Sequence, residues 1–217
     1  MSLSASAIVI ELLRRVAYGR EVGEFAHSPL SCQGIEREIV EQGVAATLYP
    51  VLRGRTDIAS SVIETAKEEY ECALVRKDFC IAKLRCLQSE LTPGGRVVLL
   101  QGMALCEYVY KEPLARTMTD LDLCVPDGTI ERCRSVLAQN GFEPLGAYRN
   151  VWTAGGLQID LHEDPWGMDR LPGRRLLVSG VPFQTIPSDV VPGYHVPAPS
   201  CMGALCAFHG LKHGFSR

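Results

Sequence analysis

No charge of either sign dominates this chain: 22 lysine and arginine residues stand against 25 aspartate and glutamate residues, a net charge of −3 in 217 residues. Up to Glu90 there are 11 basic and 13 acidic residues, and 11 and 12 after it, so neither half is a basic arm or an acidic tail. Binding of nucleic acid by bulk charge is excluded on that ground, because such binding neutralises many phosphates at once. The nine cysteines (Cys32, Cys72, Cys80, Cys86, Cys106, Cys124, Cys133, Cys201 and Cys206) contain no C-x-x-C pair, which argues against a zinc knuckle or a dithiol redox motif. Reduced, mostly buried thiols are expected instead. No basic segment precedes the first apolar residues, and the run from Ala5 to Val9 meets Glu11, Arg14 and Arg15 too soon for a signal peptide or a membrane span. A cytoplasmic protein without a membrane partner is the expectation. No repeat, linker or low-complexity tract interrupts the chain. With 47% hydrophobic residues and a mean hydropathy of +0.06, it reads as an ordinary globular protein, one long enough to bury roughly 70% of its unfolded surface.

Hydrophobic periodicity divides what remains. Ile8, Leu12, Leu13 and Val16 make a helical stripe that ends near Gly19; Ile35 to Glu41 and the segment carrying Ala45, Leu48, Tyr49 and Leu52 follow as helices. From Asp57 to Leu91 neither glycine nor proline occurs, and Ile58, Val62, Ile63, Ala66, Tyr70, Leu74, Phe79, Leu84 and Leu87 keep a helical period, so one long helix or two with a kink are expected, with these residues as core. Thr92-Pro93-Gly94-Gly95 stops that pattern. Residues 1–94 are therefore read as an N-terminal helical region and residues 95–217 as a separate core.

In the core the period changes. Arg96 to Gln101 reads as a buried strand, Met103 to Tyr110 as a helix, and Asp120 to Val125 alternates with the strand period of two. A helix over Thr129 to Asn140 should close on a left-handed Gly141. Strands over Glu143 to Thr153 and Leu157 to His162 should be joined by Ala154-Gly155-Gly156 as a hairpin. Residues 165–199 hold seven prolines and four glycines, which predicts loop with at most one short strand near Val181 to Ile186. Ser200 should cap a last helix, Cys201 to Gly214. That helix carries an apolar stripe with only three residues after it, so the chain is expected to be truncated or to meet a partner there. The fold class is α+β: a small mixed sheet of four or five strands flanked by helices, preceded by helices.

The chemistry is concentrated between Leu99 and Pro126. Asp120 and Asp122, two apart on a strand, project from one face roughly 6.5 to 7 Å apart along the chain, where they can share hard divalent cations whose remaining sites are filled by water and phosphate. Gly102 between a strand and a helix lets backbone amides of residues 102 and 103 approach a phosphate at a helix N-terminus. Position 103 is methionine, so the backbone alone would make that contact. Asp160, mid-strand in the apolar run Leu157 to His162, is the candidate third carboxylate for activating a hydroxyl. His209 and His213 lie four apart on one helix face, yet no H-E-x-x-H pattern surrounds them, so packing is preferred over a zinc site.

A glycine-led turn, a helix, Asp-x-Asp and a distant strand aspartate resemble the DNA polymerase beta-like nucleotidyltransferase superfamily. More narrowly, the Gly102 turn, Arg116 ahead of Asp120-Leu121-Asp122-Leu123, Ile159-Asp160-Leu161-His162 and Phe208-His209-Gly210-Leu211-Lys212-His213-Gly214 are similar to a family of uncharacterised bacterial nucleotidyltransferases. The resemblance implies a metal-dependent enzyme that transfers a nucleoside monophosphate from a nucleoside triphosphate such as ATP to an unidentified hydroxyl of a small molecule, protein or RNA. It implies Asp120, Asp122 and Asp160 as catalytic residues holding magnesium, two ions in all, with Gly102, Met103, Arg116 and Lys212 at the nucleotide. The methionine after Gly102 and the early chain end motivate a second expectation, a non-catalytic module that keeps the fold and binds a nucleotide or a partner.

Overall fold

The computed structural model describes residues 9–10, 12–14, 32–56, 58–108, 118–166 and 182–212. They fall into two compact units, the first ending at residue 77 and the second beginning at residue 78. Of the expected first helix, residues 9, 10 and 12–14 are helical; Ile8, Val16 and Gly19 lie outside the described residues.

The first unit is helical. Helices α1 (Cys32–Glu41) and α2 (Ala45–Leu52) are separated by a turn at Gly43, whose φ of +62° suits a residue without a Cβ. Both pack with the N-terminal part of α3 (Ser60–Leu91), a single helix of 32 residues. Val9, Leu12, Ile39, Ala45, Leu48, Leu52, Val62 and Ala66 form one buried cluster. Tyr70 joins its edge, its ring 5.1 Å from that of Tyr49. Phe79, expected in the core, is not part of it: it is 38% exposed, with the Lys83 ammonium 5.8 Å above its ring. A helix of this length buries one stripe and leaves the other face to solvent, and Phe79 falls outside the stripe of Ala73, Cys80, Leu84, Leu87 and Leu91.

The second unit is built on a seven-stranded mixed sheet, and the chain is α+β. After α3, a 3-10 turn (Thr92–Gly94) and Gly95 at φ +128° end the helix. Arg132 secures that end by donating to the carbonyls of Glu90 and Leu91. Strand β1 (Val98–Leu99) is the paired part of a fully buried run, residues 97–100. Then come α4 (Gln101–Tyr108), β2 (Asp120–Cys124) and α5 (Ile130–Gln139), which closes on Gly141 at φ +80°. The expected single strand from Glu143 to Thr153 is two, β3 (Glu143–Leu145) and β4 (Tyr148–Ala154), folded back on one another at Gly146. Gly155 and Gly156, both at positive φ, turn β4 into β5 (Leu157–His162).

The proline-rich segment, expected to hold at most one short strand near Val181 to Ile186, holds two, the first overlapping that expectation, and the sheet has seven strands rather than four or five. The segment contributes β6 (Thr185–Pro187) and β7 (His195–Pro197), paired antiparallel, with β7 parallel to β1. These strands have three residues each, too few for a period to show; the neighbouring strands define them. The last helix, α6, starts at Pro199 rather than after a Ser200 cap and runs to Lys212. Proline suits a first helical position because it has no amide hydrogen to leave unpaired there. His213 and Gly214 lie outside the described residues. The thiols are less buried than expected: Cys80, Cys124, Cys133 and Cys201 are buried, Cys106 is partly so, and Cys72, Cys86 and Cys206 are exposed, all unbridged. No helix among the described residues is long and apolar enough to cross a membrane.

Candidate metal and nucleotide site

Strand β2 is the fourth of seven in the sheet, flanked by β5 on one side and β1 on the other. Its pairing with β5 is parallel, with Asp120 opposite Gln158, Asp122 opposite Asp160 and Cys124 opposite His162. Because successive side chains alternate faces, Asp120, Asp122, Asp160 and His162 share one face of the sheet. Leu121, Leu123, Ile159 and Leu161 take the other, each at most 1% exposed. Burying such a residue contributes about 1.5–3 kcal/mol. A register slip of one residue would exchange leucines for carboxylates on the packed face, so the apolar residues fix where the acids point.

Leu99 is the partner of Leu123 in the antiparallel β1–β2 pair, and the amide of Leu100 donates to the carbonyl of Asp122 at 2.9 Å. The chain then turns abruptly into α4. Gln101 takes φ +44°, the one non-glycine residue at positive φ among the described residues, a conformation that costs about 1–2 kcal/mol for an L-residue. Gly102 follows. A Cβ placed on it would lie 3.3 Å from Met118 Cγ, so the missing side chain lets the segment before β2 close over the turn. Met103 is buried at 3% exposure, which leaves its backbone amide as the group it can offer a ligand.

Three side chains converge. Carboxylate oxygens of Asp122 and Asp160 and a ring nitrogen of His162 all lie within 4.8 Å of one another. His162 Nε2 is 3.0 Å from Asp122 Oδ1 and 3.6 Å from Asp160 Oδ2. Asp122, Asp160 and His162 are 8%, 7% and 1% exposed. Two carboxylates confined to one dry spot repel, and a dication neutralises both at once; the donor set of two oxygens and one nitrogen fits such an ion. The wall beside it is apolar: Val98, Leu100, Cys124, Trp166, Cys201 and Leu205 form one buried cluster with α6, and Trp166 meets Phe183 and Phe208 edge-on.

Of the residues expected at the site, Asp122 and Asp160 are thus placed together. Asp120 lies on the same strand face, partly exposed, outside the set of three, and accepts a hydrogen bond from Thr119 Oγ1 at 3.2 Å. Gly102 and Met103 open α4, which packs against β2. Arg116 lies outside the described residues, as do the side chains of Lys212 and His209, although both belong to α6. His162 is the residue that sequence reasoning passes over. Its signal is nonetheless present: two positions after Asp160 on a strand means the same face, and an imidazole there meets the carboxylate.

Residues 33–217 match a family described as uncharacterised nucleotidyltransferase. No curated protein and no solved structure matches the chain.

Proposed function

Because the chain belongs to the uncharacterised nucleotidyltransferase family, we propose that it transfers a nucleoside monophosphate from a nucleoside triphosphate to a hydroxyl group, forming the new oxygen–phosphorus bond as the α–β phosphoanhydride breaks and pyrophosphate leaves, with a divalent metal held by Asp122 and Asp160. The observation that carries this reading is the register pairing of those two buried aspartates on parallel neighbouring strands, beside the Gln101–Gly102 turn. A bound dication would neutralise the triphosphate and stabilise charge on the attacking and leaving oxygens. Asp122 and Asp160 would hold that ion, and Asp160 would accept the proton of the attacking hydroxyl at a carboxylate oxygen. Asp120, at the start of β2 and more accessible, is assigned to a second ion at the edge of the site. The backbone amides that open α4 would face phosphate oxygens, where the helix dipole favours negative charge. Arg116 and Lys212 are assigned to phosphate charge on the strength of the sequence pattern. Leu100 and the adjoining apolar cluster keep water from the carboxylates, which strengthens every charge interaction at that spot.

The alternative, a nucleotide-binding module without transfer, draws on the methionine after Gly102, whose side chain is buried and offers phosphate nothing. One experiment separates the two. The protein is incubated with α-labelled nucleoside triphosphates and magnesium or manganese, and label is followed into protein, RNA and added small hydroxyl compounds, with Asp122→Asn alongside. Metal-dependent incorporation that Asp122→Asn abolishes is the expected result. Nucleotide-dependent thermal stabilisation without label transfer would favour the binding module, and neither effect would remove both readings.

A further inference from the structure

The imidazole between the two aspartates deepens the proposed function and rests on its premise, that Asp122 and Asp160 are a metal site. We propose that His162 Nε2 is a third donor to the same cation, so that the site selects a first-row transition dication of the manganese class over magnesium.

Geometry supports direct ligation. Donors at about 2.1 Å from a common ion stand about 3.0 Å apart when they are at right angles and about 3.4 Å apart at tetrahedral angles. The observed separations from His162 Nε2, 3.0 Å to Asp122 Oδ1 and 3.6 Å to Asp160 Oδ2, lie close to those values. The three donors come from two strands locked in register, and the main chain at His162 is pinned because its carbonyl accepts from Val125 N at 2.8 Å. At 1% exposure the ring cannot swing out to water without disrupting the pair of strands. Three protein donors would leave the remaining positions of the ion for water and phosphate oxygens, which a transferase needs.

Chemistry then decides the class of ion. Magnesium demands near-ideal octahedral oxygen coordination and gives up water reluctantly, whereas imidazole suits first-row transition ions. Replacing one oxygen donor by nitrogen therefore penalises magnesium relative to first-row transition ions, of which manganese gains least and cobalt or zinc more. A hydrogen bond that merely orients Asp122 would produce the same 3.0 Å separation, so the test must read the metal–nitrogen bond itself.

Manganese(II) is titrated into the metal-free protein and followed by electron paramagnetic resonance, with magnesium as competitor; pulsed spectra of the bound ion report directly bonded nitrogen. The expected result is nitrogen coupling in the wild type, manganese affinity at least tenfold above that of magnesium, and a tenfold or larger loss of manganese affinity in His162→Gln with less than threefold change for magnesium. Manganese bound without nitrogen coupling, or parallel loss of both ions in the variant, overturns the assignment of His162 and leaves the aspartate site standing. Binding of neither ion to the wild type overturns both. The wild-type spectrum decides the point even if His162→Gln does not fold.

Discussion

Leu100 donates its amide to the carbonyl of Asp122 at 2.9 Å, which ties the last extended residue before the α4 turn to the strand that carries the buried carboxylates. The next residue, Gln101, bends back at φ +44°. Turn and acids are therefore one rigid piece, and the strain at Gln101 is the cost of placing the start of a helix next to a carboxylate pair.

That strain can be measured. Gln101→Gly should stabilise the protein by about 0.5–1 kcal/mol, the relief of left-handed strain outweighing the extra chain entropy of glycine. Gln101→Val should destabilise it by about 1–2 kcal/mol, because a β-branched residue tolerates positive φ worst. Urea denaturation midpoints of the two variants check both signs.

Removing one carboxylate should separate stability from function. Asp122→Asn and Asp160→Asn should each raise the melting temperature of the metal-free protein or leave it unchanged, since one of two crowded charges is gone. The wild type should be stabilised by a divalent ion and ATP, the variants should lose that shift, and transfer activity should fall by about 100-fold or more, equivalent to about 2.7 kcal/mol. A melting curve with and without ligand, run beside the label-transfer assay, tests the pair. Equal ligand shifts in wild type and variants would contradict the metal reading.

Tyr194 predicts a pH dependence. Its hydroxyl donates to the Leu84 carbonyl at 2.8 Å, and the side chain is 1% exposed. Burial, with a smaller contribution from Cys133, pushes its ionisation well above the ordinary value of 10.0. A group whose folded pKa is raised contributes stability that is fully present below its unfolded pKa and is lost as pH climbs from there toward the folded value. The protein should therefore lose stability as pH rises beyond about 10, and Tyr194→Phe should flatten that loss. At neutral pH the variant should be less stable by about 1 kcal/mol for the missing hydrogen bond. Denaturation at about pH 8 and about pH 10.5, on either side of the onset, distinguishes these effects.

Gly193 has a steric reason to be glycine. It sits at φ +88°, and a Cβ there would lie 2.6 Å from Gln88 Cδ and 3.0 Å from Gln88 Cγ. Gly193→Ala should cost about 1–3 kcal/mol, combining left-handed strain with displacement of the Gln88 side chain. Gln88→Ala in the same background should recover the steric share only, a non-additivity that a double-mutant cycle reads directly.

Legibility in the sequence follows the number of residues that share a pattern. Strand β5 is readable as Leu157 to His162, as it is, because Leu157, Ile159 and Leu161 alternate with polar residues at the strand period of two and a double glycine precedes them. The long helix is plain from its unbroken period, but the period does not tell which face is covered, and Phe79 lies on the open one. Strands β6 and β7 carry no readable period; they exist because β1 offers β7 a parallel partner. Asp122 and Asp160 can each be singled out in the sequence, but what sets them opposite one another is the parallel register of β2 and β5. Once β2 and β5 align in parallel, the same offset that sets Asp122 opposite Asp160 brings His162 to Cys124, one step from the acids. Asp120 carries equal weight with Asp122 at the sequence level, and the structure distinguishes them by depth: one stands at the strand's entrance, the other within it.

The outermost strands of the sheet, β3 and β6, are three residues long, and each contains a proline, Pro144 in one and Pro187 in the other. A proline has no amide hydrogen to present to a newcomer, and so short a border offers few others. Lateral pairing of a second chain is therefore disfavoured at both margins of the described sheet. Among the described residues the carboxylate pair is held on two interior strands, clear of either sheet margin.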